Sequence, residues 1–407
     1  MRAPAGTVLI VGAGLAGSRC AEARRSGGHL GRILLVGDEP LAPYERPALS
    51  KGFLAGSRSP ASLALRGPSH WSGAGIELGV ARSITAIDPR GFATTDTRQT
   101  LEWDQLVLAT GSRARRIPGD ACVGVHRLRS ITDAVALRRD LRPGRHLAIV
   151  GAGFVGLEVA STARELGLEV TVIARESVPL ARAVGPEVGA LLAARASASG
   201  VRMLTGVRST SIRRGAGGRV EAVTLGGRGE VACDVALIAI GAEPASELAV
   251  GLVALATDGG IATDQAGRTD HPGVFACGDV ASAWRPWLGR CLSIGHWTSA
   301  AAGAQAVAAA VLGAPPPAHS VPYAWSDAFG LRIQQVGGAP PPGAELVLDT
   351  SADDFEASYL VDGEVCCVVT GNRPQRAASA RRELAASPRH DFGETADHGL
   401  ATSTAPR

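Results

Sequence analysis

Residues Thr7 to Asp38 read TVLIVGAGLAGSRCAEARRSGGHLGRILLVGD. Val8, Leu9, Ile10 and Val11 form a continuous apolar run, the pattern of a parallel strand buried on both faces. Gly12, Gly14 and Gly17 follow. In this spacing the first glycine permits a tight turn out of the strand, the second lets a pyrophosphate approach the backbone, and the third lets the next helix pack closely on the sheet. A second apolar run, Ile33 to Val36, ends in Gly37, Asp38 and Glu39, about where a ribose-binding carboxylate is expected, and Asp38 is the candidate. In a chain with 52 glycines an isolated GxGxxG is weak evidence. A strand before it, a helix after it and an acid at the right distance make it a Rossmann βαβ unit.

The pattern returns at Leu147 to Ile173, LAIVGAGFVGLEVASTARELGLEVTVI, with Gly151, Gly153 and Gly156 in the glycine positions. Two copies in one chain are the layout expected when one site holds a tight flavin and the other an exchanging nicotinamide. An ATP or methyl-donor site on one of them is the alternative. Glu158 follows the third glycine, where a carboxylate also complements a helix dipole.

The 407 residues leave room for two or three domains and a large core. An apolar fraction of 45% and an aromatic fraction of 4% suit a soluble α/β protein. The net charge of +3 with scattered arginines argues against nucleic acid as a partner. No apolar run is long enough for a bilayer, so no membrane is expected. Met1-Arg2-Ala3-Pro4 leads into the first strand without a signal-peptide pattern. Seven cysteines at irregular spacing argue against a disulfide framework, which leaves the cytoplasm as the default location.

Pro40 to Lys51 reads PLAPYERPALSK, with three prolines and neither helical nor strand period, so a rigid loop is expected. Lys51 is the only lysine in the chain, which suggests a position that arginine cannot fill, although one exposed lysine is the bland reading. YERPALSK resembles the YERPPLSK signature of the FAD-dependent ferredoxin reductases that serve Rieske-type oxygenases and bacterial cytochromes P450, with Ala48 in place of the second proline. The resemblance runs from about Thr7 to about Leu384. It implies two Rossmann-type dinucleotide-binding domains plus a small α+β C-terminal interface domain. Residues 1–115 and 244–318 would bind FAD, 116–243 NAD(P), and 319–385 would be the interface domain, with 386–407 a disordered tail.

The resemblance also implies roles. Lys51 would sit beside the flavin, paired with Glu158. Around the FAD it places Gly12, Gly14, Leu15, Ala16, Gly17, Asp38 and the strand residue Ile84. It adds Ala109-Thr110-Gly111, which matches the family's ATG motif, and Arg129. Gly278 and Asp279 in VFACGDVASA resemble the second FAD fingerprint, in which the aspartate bonds the ribityl chain. Gly151, Gly153, Phe154, Val155, Gly156 and Gly241 would contact the nicotinamide coenzyme. Trp297 would lie near the isoalloxazine, although a core residue at a helix start is the bland alternative; the acid usual in this segment is absent, Gly295 standing nearby. Trp325, Ser326 and Asp327 match the FWSDQ opening of the interface domain. Arg113, Arg115 and Arg116 are either a solvated linker or a binding patch.

Where thiol-dependent flavoproteins carry a CxxxxC on the helix after the first glycine turn, or a cysteine near position 40, this chain has Cys20 alone on the helix and none in Pro40 to Lys51. Electrons must then leave the flavin directly. The expected activity is hydride transfer from NADPH or NADH to FAD, then single-electron transfer to an acidic iron–sulfur ferredoxin, [2Fe–2S] in type. An NADH oxidase, a quinone reductase or a slow FAD/NAD redox sensor are the alternatives. Arg175 and Arg182 resemble the VRxxxPLR pattern of NADPH users, so NADPH, or use of both coenzymes, is expected, with Glu176 binding the ribose of NADH as the alternative.

Overall fold

The computed structural model describes residues 6–227, 229–285, 290–314 and 321–387. Two five-stranded parallel sheets repeat one design. The first runs Val274–Ala276, Gln105–Leu108, Val8–Val11, Ile33–Val36, Ile76–Gly79. The second runs Val201–Leu204, Glu169–Ile173, His146–Val150, Val235–Ile238, Val125–His126. In each, the strand before the glycines is central, and apolar clusters cover both faces, as the unbroken apolar runs require. Neighbours on the two sides of that strand diverge at its C-terminal end, where ligands enter such sheets.

The two copies turn by the same contacts. Gly12 N–H donates to Val36 O at 2.7 Å, and Gly151 N–H to Ile173 O at 2.8 Å. Their φ angles are +111° and +110°, a region that favours glycine. A Cβ on Gly12 would overlap the Ala109 carbonyl oxygen, and one on Gly151 the Ala239 oxygen. Gly17 and Gly156 likewise lie against the carbonyls of Gly12 and Gly151.

The crossings between the two sheets form a short antiparallel ribbon, Ser112–Ala114 with Ala242–Pro244. Arg113 bonds Glu243 at 2.8 Å and reaches Glu247, Arg115 bonds the Ala242 carbonyl at 3.1 Å, and Arg116 bonds Asp120 at 3.1 Å. These arginines therefore bind their own chain and fasten the crossing. Helix Trp297–Val311 packs small side chains such as Ala304 and Ala308 against the first helix, Leu15–Ser26.

The C-terminal part is a five-stranded antiparallel sheet, ordered Tyr323–Ala328, Leu331–Val336, Glu364–Gly371, Phe355–Val361, Glu345–Thr350. Helix Pro374–Ala386 covers one face, and Ile333, Phe355 and Tyr359 pack the other against Val184, Val188 and Leu192 of the second nucleotide unit. Residues 315–320, with the linker expected at Pro315–Pro317, and 388–407 of the tail expected at 386–407, lie outside the described residues, whereas Ala386 still belongs to the last helix.

The glycine contacts separate two substitutions. Gly17→Ala should cost on the order of 3 kcal/mol, because its Cβ meets backbone that cannot move aside. Gly153, with nothing within 4 Å of its would-be Cβ and φ −81°, should accept alanine within about 1 kcal/mol. Thermal melts of the two variants check this.

Candidate active site

Both turns deliver helix N-termini with free amides. Helices Leu15–Ser26 and Phe154–Glu165 start after Gly14 and Gly153, neither of which supplies a side-chain cap, and neither helix has an acid in its first turn. Such ends attract anions, and the middle glycines leave space in front of them: the nearest atom to a Cβ on Gly14 would be Arg46 Nη2 at 3.8 Å, and Gly153 faces open space. Val155, beside the second turn, is 39% exposed. Two cradles of this kind fit two dinucleotides.

An ion pair joins the loop of the first unit to the helix of the second, with its carboxylate buried and its ammonium half-buried. Lys51 Nζ is 2.7 Å from Glu158 Oε1, with Glu158 5% exposed. Lys51 also donates to Pro47 O at 3.2 Å. Ser326 Oγ donates to Glu158 Oε1 at 2.6 Å, and Ser50 Oγ donates to Oε2. Glu158 is the fifth residue of its helix, beyond the turn where the dipole acts, so its charge is stabilised by these donors.

Asp279 stands in the turn Gly278–Val280, and its Oδ2 accepts from Arg129 Nη2 at 2.7 Å and Ser112 Oγ at 3.1 Å. Arg129 also holds the Ser112 carbonyl at 2.8 Å and lies against Gly111. A Cβ on Gly278 would press on Ala16, so the turn is seated on the start of the first helix. Thr110 Oγ donates to Ala245 O at 2.6 Å, and Gly241, with φ +99°, carries the returning strand. Leu15 is half-buried at the helix start. Trp297 is also half-buried and opens its helix next to His296. Burial holds the His296 imidazole below its usual value and so favours the neutral ring.

Other candidates fall differently. Asp38 is exposed, whereas the adjacent Glu39 is drawn inward, accepting from Tyr44 Oη at 2.5 Å and from Arg46. Tyr44 Oη in turn accepts from Ile131 N–H at 2.9 Å; burial pushes its phenol up, so it remains a hydroxyl. Ile84 contributes its side chain to the core beneath the first sheet. Arg175 and Arg182 stand apart at the end of the second sheet, 3.0 and 3.3 Å from Glu176. Cys20 has a neighbour after all: Cys277 hydrogen-bonds it, and that bond together with full burial holds the Cys277 thiol far up. A thiol kept protonated and inaccessible is neither nucleophile nor relay.

Sequence reasoning missed Ser50, Glu39, Arg46 and His296. Ser50 and Arg46 belong to the YERPALSK motif, but the partners that give them a role are distant in sequence.

Residues 6–306 match the family Pyridine nucleotide-disulphide oxidoreductase, and residues 323–404 match Reductase C-terminal. The chain belongs to these oxidoreductases. The reductase is 38% identical over 387 residues to the biphenyl dioxygenase system ferredoxin–NAD(+) reductase component of Paraburkholderia xenovorans (strain LB400), covering 94% of this chain and 92% of that one. It also resembles the ferredoxin reductase for the CYP199A2 system from Rhodopseudomonas palustris, at 33% identity and TM-score 0.88, covering 95% and 98%. The covalent putidaredoxin reductase–putidaredoxin complex gives 31% identity and TM-score 0.88, covering 93% of each chain. The reductase is thus an enzyme of the ferredoxin reductase group, with FAD and NAD(H) as cofactors. Among the described residues no helix is long and apolar enough to cross a membrane.

Removing one partner of the Lys51–Glu158 pair strands the other. Each of Lys51→Met and Glu158→Gln should cost about 3–5 kcal/mol, and the double variant should cost far less than their sum. Urea unfolding of the holoenzyme measures this, and additive losses would mean that the two groups do not interact.

Proposed function

We propose that the reductase takes a hydride from NADH and passes single electrons to an acidic [2Fe–2S] ferredoxin of a P450 or Rieske-type oxygenase system. FAD, when bound, supplies the conversion of one hydride into two separate electrons. The observation that carries the reading is that no accessible thiol stands on the first helix or in the 40–51 loop, the two places where thiol-dependent flavoproteins carry one. Pro40 to Lys51 has no cysteine, and Cys20 and Cys277 are buried with Cys277 held protonated, so electrons pass straight to an outside acceptor.

The residues take the following parts. Gly12, Gly14 and Gly17 with the first helix hold the FAD pyrophosphate, and Arg129 orients Asp279 toward the ribityl chain. Lys51 lies at the flavin with Glu158 as its counter-charge. Gly151, Gly153 and Gly156 take the nicotinamide coenzyme. Residues 319–385 present the partner face. Arg381 caps an aromatic group there: it lies 4.8 Å from the Tyr323 ring, which stacks on Trp325 at 6.1 Å, which meets His296 edge-on at 5.2 Å. This places an exposed positive charge at the outer end of a ring contact series that begins at His296.

Docking should therefore be electrostatic. Ferredoxin-dependent cytochrome c reduction should slow as salt shortens the screening length to about 8 Å and below, while direct ferricyanide reduction should follow a different salt course. Equal responses of the two acceptors would remove the charged interface. Rapid turnover with dioxygen or quinone and none with ferredoxin would replace the reading with that of an oxidase or quinone reductase.

The coenzyme follows from Glu176. In sequence, Arg175 and Arg182 suggested a 2′-phosphate site. In the structure both lie against Glu176; burial would raise that carboxyl, but the Arg175 hydrogen bond and the charges of Arg175 and Arg182 outweigh it and hold Glu176 low and anionic. A carboxylate there can accept from ribose hydroxyls, and with both arginines drawn onto it neither is left unpaired for a 2′-phosphate. NADH should accordingly exceed NADPH in kcat/KM, and Glu176→Gln should narrow the gap. Steady-state kinetics showing an NADPH preference in the unmodified enzyme would reject this.

A further inference from the structure

Three parts of the chain converge on the carboxylate of Glu158. Lys51 and Ser50 come from the loop after the second strand, Glu158 from helix Phe154–Glu165, and Ser326 from the first strand of the C-terminal sheet. Oε1 accepts from Lys51 at 2.7 Å and from Ser326 at 2.6 Å, and Oε2 accepts from Ser50. Ser326 is 1% exposed, and Ser50 4%. The turn after Ser326 is fastened to the same helix one turn further on, where Phe329 N–H donates to Ser161 Oγ at 2.9 Å. Thr162 Oγ, on that helix, donates to Ser50 O at 2.9 Å. Both serines are thus themselves held in place.

We propose that Ser326 is a positioning residue for the Lys51–Glu158 pair, so that the C-terminal sheet completes the hydride-transfer site. This rests on the reading of Lys51 as a group at the flavin. A terminal carboxylate torsion is broad, and a lysine has four flexible carbons, so an isolated pair has many geometries of similar energy. With Ser50 on one oxygen and Ser326 on the other, the carboxylate plane is fixed. Lys51, already bound to Pro47 O, then has one place for its ammonium. Without the Ser326 hydroxyl, Oε1 loses one of its two donors, the plane can turn, and the ammonium follows. A serine that merely fills a buried position would have no such consequence.

Lys51 is the only lysine, so carbon-13 lysine labelling gives a single side-chain reporter of the pair. In the holoenzyme, Ser326→Ala should leave FAD content and the NADH dissociation constant unchanged and slow stopped-flow flavin reduction about tenfold, equivalent to ~1.4 kcal/mol. It should also shift or broaden the Lys51 Cε signal. Ser326→Thr, which keeps the hydroxyl, should restore both rate and signal. A Ser326→Ala enzyme with wild-type rate and an unmoved signal overturns the proposal. So does a slow enzyme whose Lys51 signal is unmoved and which threonine fails to rescue. Lys51→Met separates the two ideas: if it reduces flavin at the wild-type rate, the reading of Lys51 falls and the proposal with it. If it is slow while Ser326→Ala is not, only the role of Ser326 is lost.

Discussion

A carboxylate buried to the extent of Glu158 needs hydrogen-bond donors for both oxygens, and the arrangement of the whole chain supplies them. The ammonium and one hydroxyl come from the loop of the first nucleotide unit, and the other hydroxyl from the C-terminal sheet. The carboxylate itself belongs to the second unit. Three units that each have their own sheet are thereby tied at one charged point, and the apolar contact of Val184 and Val188 with the C-terminal sheet holds that sheet in reach. The charge gives the junction its geometry; the apolar surface gives it most of its stability.

What the sequence disclosed follows from the range of each constraint. The glycine turns were legible because their cause is local: a carbonyl sits where a side chain would begin, and the residues involved are held by a strand and a helix a few positions away. Lys51 was legible because it stands alone among arginines. Ser50 and Ser326 as partners of Glu158 were not, since they lie 108 and 168 residues from it, and no periodicity spans such distances. Asp38 and Glu39 show a finer limit. Two adjacent carboxylates at a strand end are equivalent in sequence, and the inward position of Tyr44 and Arg46 decides which of them turns toward the protein.

The two nucleotide units share a backbone design but differ in what surrounds it. The first is closed in by Arg46 near Gly14, by Gly278 on Ala16, and by the Arg129–Asp279 pair. At the second, Gly153 faces open space and Val155 is exposed. A ligand enclosed on several sides has more contacts to lose on leaving, so the first site suits a resident cofactor and the second an exchanging one. The difference comes from the loop of residues 40–51, from Arg129 and from the segment after residue 244, none of which is part of the repeated βαβ unit.

The same asymmetry accounts for the direction of electron flow. A resident flavin that is reduced from the second site needs an exit that does not retrace the coenzyme's path. The buried thiols beneath the first turn offer none, because Cys277 holds its proton and Cys20 is fully enclosed. Of the crossing arginines, Arg113 and Arg116 are paired with Glu243, Glu247 and Asp120. The C-terminal sheet combines aromatic contact with an exposed positive charge through Trp325, Tyr323 and Arg381. Because Ser326 lies next to Trp325 on the same strand, the strand that carries the aromatic contacts also bonds Glu158, so the proposed exit for electrons and the Lys51–Glu158 pair share one short segment.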